Sequence, residues 1–214
     1  MKTLFVCLAN SKKYGERCIA GVEVKKTKSG YELIEKDGKP KWLRPVTEYQ
    51  RGAISKNLVK NINLLDILEI NVKEYCPKSY QSENAYFEES SLRKVGQKLS
   101  NDNLDKLIDM NQRNIFGNRG KAVSEDVIDK VDHSLTLIKV SDFEIYKRES
   151  DSQLRMKFEF NNVHYDLPIT DLNFIEVYTE DGNLLRNVES LYLTISLAVN
   201  HNGWHSKLIA GVLC

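Results

Sequence analysis

Two apolar runs, Thr3–Ala9 and Cys18–Val24, stand on either side of a basic, turn-rich stretch, Asn10–Arg17, that holds a single glycine, Gly15. Each run is too short for an amphipathic helix and is rich in β-branched, aromatic and aliphatic residues, so the pair predicts a buried β-hairpin. Gly21, inside the second run, marks a place where another backbone comes close. The same pattern returns near the far end: Cys18-Ile-Ala-Gly-Val22 resembles Leu208-Ile-Ala-Gly-Val212, and Leu8-Ala9 resembles Leu197-Ala198. A second pair is Pro45-Val-Thr-Glu48 and Pro168-Ile-Thr-Asp171. The pairs run in reversed order, which excludes a simple tandem duplication. The expectation is two related β modules in one chain, with chance similarity of two hairpins as the alternative.

The first 75 residues offer five strand candidates, 3–9, 17–25, 30–35, 41–46 and 64–74, with Asp37-Gly38 as a hairpin turn. Five short strands without a long helix suit a small closed barrel of the OB type. Arg51–Asn63 reads as a loop or short helix, and Glu74–Phe87 as irregular. Leu92, Val95 and Leu99, then Leu104, Leu107 and Ile108, follow helical spacing, and Ser124 can cap a short helix through Val127, Ile128 and Val131. Strands are expected again at 134–140, 154–160, 163–169, 173–178, 191–198 and 206–213, with Asn161-Asn162 as a two-residue turn. The predicted fold is mainly β (α+β): two OB-like β-barrels packed together as one unit, covering 1–87 and 132–214, joined by a short helical connection over 88–131.

Of the 214 residues 41% are hydrophobic, and no apolar run approaches the roughly 20 residues of a membrane helix. With no signal-peptide core either, a cytoplasmic protein that makes no membrane contact is expected. Four cysteines form no C-x-x-C pair, and His201 and His205, four apart, fall in a predicted loop. Free thiols in a reducing compartment are expected, with neither metal nor cofactor. No P-loop, G-x-G-x-x-G, H-E-x-x-H or G-x-S-x-G occurs, so a non-catalytic role is expected. Residues 1–60 carry 14 Lys and Arg against 6 Asp and Glu, a net of +8, while the other 154 carry a net of −7. Such asymmetry points to a polyanionic partner on the basic side.

Candidate binding residues follow from side-chain chemistry. Lys12, Lys13 and Arg17 can neutralise phosphates, and Asn10 and Ser11 can hydrogen-bond phosphate or a base edge. Tyr14 and Trp42 offer stacking faces, and Arg44 shares the strand face of Trp42 by the period of two. A secondary pocket is expected from Gln81, Glu83 and Asn84, whose amides and carboxylate both donate and accept, and from Trp204, His205 and Lys207. The competing reading makes Trp42 core, pairs Arg44 with an acidic neighbour and leaves Gln81–Asn84 as a turn.

Taken together, Cys7-Leu-Ala-Asn-Ser11, Arg17-Cys-Ile-Ala-Gly21, Trp42-Leu-Arg-Pro-Val46, Leu64-Leu-Asp-Ile67, Gln81-Ser-Glu-Asn84, Phe116-Gly-Asn118, Ser134-Leu-Thr-Leu-Ile-Lys139, Thr170-Asp171 and Lys207-Leu-Ile-Ala-Gly211 resemble the bacterial dual OB-fold domain family. The resemblance spans nearly the whole chain. It implies two OB-like barrels and, by analogy, recognition of nucleic acid or a nucleotide, in a defence or genome-conflict setting with a separate effector protein. A protein-interaction scaffold that docks a partner through the acidic second half is the alternative.

Overall fold

The computed structural model describes residues 1–96, 99, 101–108 and 112–214, and the side chains of all of these except 101–103. The chain divides into two compact units, Met1–Leu107 and Ile108–Cys214.

The first unit is a closed barrel. Its strands are β1 (Lys2–Lys13), β2 (Glu16–Thr27), β6 (Trp42–Val46), β7 (Ile67–Tyr75) and β8 (Asn84–Lys94), with β3 (Gly30–Leu33) added beside β2 and a small hairpin of β4 (Glu35–Lys36) and β5 (Lys39–Pro40). The ring runs β1-β2-β6-β8-β7 and closes on β1, with β6 and β8 parallel and the other neighbours antiparallel. That is the OB order. A single strand can serve both β2 and β7 because β1 carries a bulge at Leu8: Cys7 pairs with Gly21, and Ala9 already with Ala20. Gly21 is required there, since a Cβ at this position would lie 1.7 Å from the Val6 carbonyl oxygen. The alternating positions Phe5 and Cys7, Leu68, Ile70 and Val72, and Ala85 and Phe87 line the core with Ile19 and Leu43. The short helix α1 (Lys56–Val59) follows β6, with Val59 in the same core.

Two expectations change here. The stretch 30–35 is an added strand outside the ring, and the fifth ring strand is β8, whose first residues read as irregular in sequence. Its Glu88-Glu89-Ser90-Ser91 run is polar, and only pairing with β6 and β7 makes it a strand. Of the span 88–131, β8 takes residues up to Lys94. The described remainder holds 3-10 turns at Asn101–Leu107, Ile115–Gly117 and Glu125–Lys130 and the strand β9 (Ala122–Ser124). Ser124 caps the last of these, accepting from the Asp126 N–H at 3.3 Å.

The second unit is a curled half-barrel. β10 (Leu135–Val140), β14 (Leu191–Leu197), β15 (Trp204–Leu213) and β9 form one sheet, and β11 (Phe143–Lys147), β12 (Leu154–Phe160) and β13 (Val163–Pro168) form another. A parallel bridge between Ile169 and Ile209 joins them. β10 and β11 are two halves of one strand interrupted at Ser141-Asp142, so the OB order is repeated with its first strand broken. The Asn161-Asn162 turn has φ of 51° and 60°, the left-handed pair a two-residue hairpin needs.

Residues 173–178, expected as a strand, lie in the helix α2 (Leu172–Glu180). Phe174, Ile175, Val177 and Tyr178 look strand-like by composition. Asp171 decides otherwise by capping: its carboxylate accepts the Phe174 N–H at 3.2 Å, and Phe174 stacks on Tyr178 one turn later. The two similar hairpins occupy different places, first and second OB strands in one unit and fourth and fifth in the other. The Pro45 and Pro168 segments do correspond: each ends the third strand beside a parallel partner. No helix among the described residues is long and apolar enough to cross a membrane.

Candidate nucleic-acid interface

The β11–β12 turn, the start of β12, the end of β13 and the β14–β15 turn surround a cleft of about 690 Å³ in the second unit. In OB order these are the loop between strands one and two, the faces of strands two and three, and the loop between strands four and five. Arg148, Arg155, Lys121 and Lys207 supply its cations, with His201 at the rim, and among the described residues no aspartate or glutamate lines it. Trp204 stands 53% exposed beside it.

The four cations differ. Arg148 grips Asp151, whose carboxyl is held at about 2 chiefly by that hydrogen bond. Arg155 donates from Nε to Asp166 Oδ1 at 2.9 Å and from Nη2 to the Asp166 carbonyl at 2.7 Å. Lys121 and Lys207 make no ion pair among the described residues. Lys207 is fully buried, its Nζ donating to the Asn118 carbonyl at 2.6 Å and lying 5.0 Å from the centre of the Tyr165 ring. Burial pushes its amine down to about 7.

His205, expected to share this pocket, turns away from it. It is 3% exposed, with Nδ1 3.0 Å from the Ala198 carbonyl and Nε2 against Glu125, whose carboxyl is lowered first by that bond and then by Asn200. This contact, with the Glu125 N–H donating to the Gly203 carbonyl at 2.9 Å, fastens the β14–β15 turn and so sets the position of Trp204. Gln81, Glu83 and Asn84 belong to the first unit.

In the first unit the register divides the basic hairpin. Lys12 pairs with Arg17, and Lys13 with Glu16; paired residues share a face and successive ones alternate. Lys12 and Arg17 therefore lie on one side of the ladder and Lys13 on the other. Asn10 is buried and donates to the Val59 and Ile62 carbonyls at 3.3 and 2.9 Å, tying down α1, and Ser11 is buried with it. Burial lowers the Lys13 pKa; nearby Cys18 opposes this and Arg44 adds to it. Tyr14 is exposed at the turn, and the Arg51 guanidinium lies 4.9 Å from its ring centre. Arg51 reaches there from a left-handed turn, Gln50–Gly52, with φ of 51°, 55° and 76°. Trp42 is half-buried and, like Arg44, points away from the core that Leu43 enters. Arg44 is 2% exposed, with Nη2 3.5 Å from Glu83 Oε1 and Nη1 donating to Asn84 Oδ1 at 3.4 Å. Gln81 Oε1 accepts from Asn84 Nδ2 at 3.2 Å. Arg44 is thus an internal group held by the residues expected to form a separate pocket, and no surface guanidinium beside Trp42.

A family model for the dual OB-containing domain matches residues 3–212. The chain belongs to that family. The Phe116-Gly-Asn118 and Lys207–Gly211 motifs, far apart in sequence, meet at the Lys207 to Asn118 hydrogen bond. No curated protein matches the chain. Among solved structures, a murine DNA-binding protein bound with double-stranded DNA is 5% identical at a TM-score of 0.36, covering 100% of this chain and 98% of that one. The p204 HINb domain is 9% identical at 0.32, over 96% and 90%. The Ifi202 HINa domain in complex with 20bp dsDNA is 13% identical at 0.32, over 97% and 91%. Likenesses this distant say nothing of what this chain binds.

Lys121, Arg148, Arg155 and Arg51 were absent from the sequence-derived set. Phe116-Gly-Asn118 was the sequence signal nearest to Lys121, which follows it by three residues.

Proposed function

We propose that this dual OB chain is a non-catalytic nucleic-acid recognition module that grips its strand in the cleft of the second unit. One observation carries the reading: an exposed tryptophan and two lysines with no ion-pair partner among the described residues share a cleft that no described carboxylate lines, at the loops and strands where OB domains take oligonucleotides. Trp204 offers a base a stacking face, Lys121 a phosphate contact, and Asn202 and Ser206 polar groups for base edges. Lys12, exposed on the basic hairpin, and the Tyr14–Arg51 pair at its turn form a second, electrostatic contact on the first unit. A separate effector in a defence or genome-conflict system is supported by the family resemblance alone.

Anisotropy titrations of labelled single-stranded and duplex oligonucleotides across a salt series test the reading. Affinity is expected to fall linearly in log–log form with salt. Lys121→Ala should flatten the slope by about one unit, and Trp204→Ala should cost about 1–3 kcal/mol while leaving the slope unchanged. Binding that neither substitution weakens would overturn it.

A further inference from the structure

Lys207 is an uncommon cation. Its side chain is fully buried against the cleft, yet among the described residues it hydrogen-bonds to Asn118 alone, at 2.6 Å to the carbonyl and 3.5 Å to Oδ1. The charged and titratable groups around it are almost all cationic or neutral. The 115–121 segment brings Arg119 and Lys121, β12 brings Arg155, and the two turns bring Arg148 and His201. From β13, Tyr165 has its pKa raised by burial, so it stays a neutral phenol. The carboxylates that reach the cleft's arginines, Asp151 and Asp166, are engaged by Arg148 and Arg155. A buried ammonium with no counter-charge is destabilised by lost hydration, and an anion in the adjoining cleft would supply that charge.

We propose that the cleft binds a phosphate group together with a proton, and that Lys207 is the group that takes the proton up. The proposal rests on the cleft being the nucleic-acid site. It adds that occupation is stronger in acid than in alkali and that the recognised chemistry is phosphate, from a strand or from a free nucleotide. The amine gains a proton as the phosphate arrives, no covalent bond is made or broken, and the proton comes from solvent. The lowered pKa of this amine places the transition near neutral pH.

The experiment is titration calorimetry of the full chain from pH 6 to 9, in paired buffers of different ionisation enthalpy. The probes are a single-stranded oligonucleotide, a mononucleotide and inorganic phosphate. Expected for the oligonucleotide is uptake of up to one proton and an affinity that falls by at most about tenfold per pH unit on the alkaline side. Lys207→Arg, charged throughout, should bind with no such pH dependence, and His201→Gln, which removes the imidazole at the rim of the cleft, should keep it. Circular dichroism confirms that each variant is folded. Phosphate and the mononucleotide ionise in this range themselves, so they assign the site to free ligand if they bind with a proton uptake that Lys207→Arg removes; binding of the oligonucleotide alone assigns it to the strand. Proton-free binding, a pH dependence that survives in Lys207→Arg, or one abolished by His201→Gln overturns the proposal. Binding that needs Trp204 but ignores pH sinks this inference and leaves the nucleic-acid reading standing, whereas no binding at any pH or salt sinks both.

Discussion

Replacing Lys207 with methionine should stabilise the protein, and by an amount that depends on pH. Methionine keeps the length and flexibility of the stem and removes the charge. The folded amine titrates at about 7 against an ordinary value of 10.5. At about 1.4 kcal/mol per pKa unit, keeping the ammonium in the fold costs roughly 3–5 kcal/mol. The sign follows from where protons sit. Below pH 7 folded and unfolded chains both hold the proton and the cost is present in full. Between 7 and 10.5 the unfolded chain holds a proton that the folded chain has released, so stability rises with pH. Above 10.5 neither holds it and the cost is gone. Lys207→Met should therefore exceed the wild type most at pH 6 to 7, with a margin that shrinks steadily toward pH 10. Urea unfolding followed by circular dichroism at each pH, on both proteins, gives the difference curve, in which every other titrating group cancels. A difference that is flat with pH, or a wild-type advantage that is largest in acid, would refute the reasoning.

Gly21→Ala should destabilise the first barrel by about 3 kcal/mol or more, because its Cβ would meet a backbone oxygen in the middle of the β1–β2 ladder. An unchanged melting temperature would contradict that. Gly15→Ala is the contrast: the space around it is open, so only its φ of +83° is strained, and the loss should be nearer about 1 kcal/mol. Asp171→Ala removes the cap of α2 and the acceptor of the buried Val212 N–H at 3.1 Å, so a loss of roughly 1–3 kcal/mol is expected in chemical denaturation. Asp171→Asn, which keeps one side-chain oxygen, should recover part of it.

How much of the fold could be read from sequence depended on whether a strand is specified locally. β1, β2, β12 and β13 carry their own alternation and turn residues, down to the Asn161-Asn162 pair, and they appear close to where the pattern puts them. β8 does not. After Phe87 it presents glutamates and serines to solvent, and only its two neighbours, one of them parallel, hold it extended. Helical spacing at Leu92, Val95 and Leu99 was a false lead of the same kind: Leu92 lies in β8, and Leu99 is buried with its N–H donating to the Leu65 carbonyl. α2 failed in the opposite direction, since one capping aspartate outweighs a strand-like composition over nine residues.

The site was harder to read because charge counted along the chain is not charge counted in space. The first 60 residues hold the net +8, yet Arg44 is spent on Glu83, Lys41 on Glu23 and Lys25 on Glu32. The second half is acidic overall, yet its carboxylates answer only two of the four cations at the cleft: Asp151 holds Arg148 and Asp166 holds Arg155, while Glu125 holds His205. What remains at the cleft is cationic although the segment that builds it is not. A phosphate responds to charges within about a Debye length, on the order of 10 Å, and not to a segment total. Sequence reasoning reached Trp204 and Lys207 because they sit in a recognisable hairpin. It missed Lys121, Arg148 and Arg155 because three separate strands and a bridge at Ile169 must form before those side chains share a surface. On this argument the salt dependence of binding should follow substitutions at the cleft more closely than equal numbers of substitutions among the paired lysines of the first 60 residues. If Lys25→Ala and Lys41→Ala flattened the salt slope as much as Lys121→Ala, the total and not the local field would be what the ligand senses.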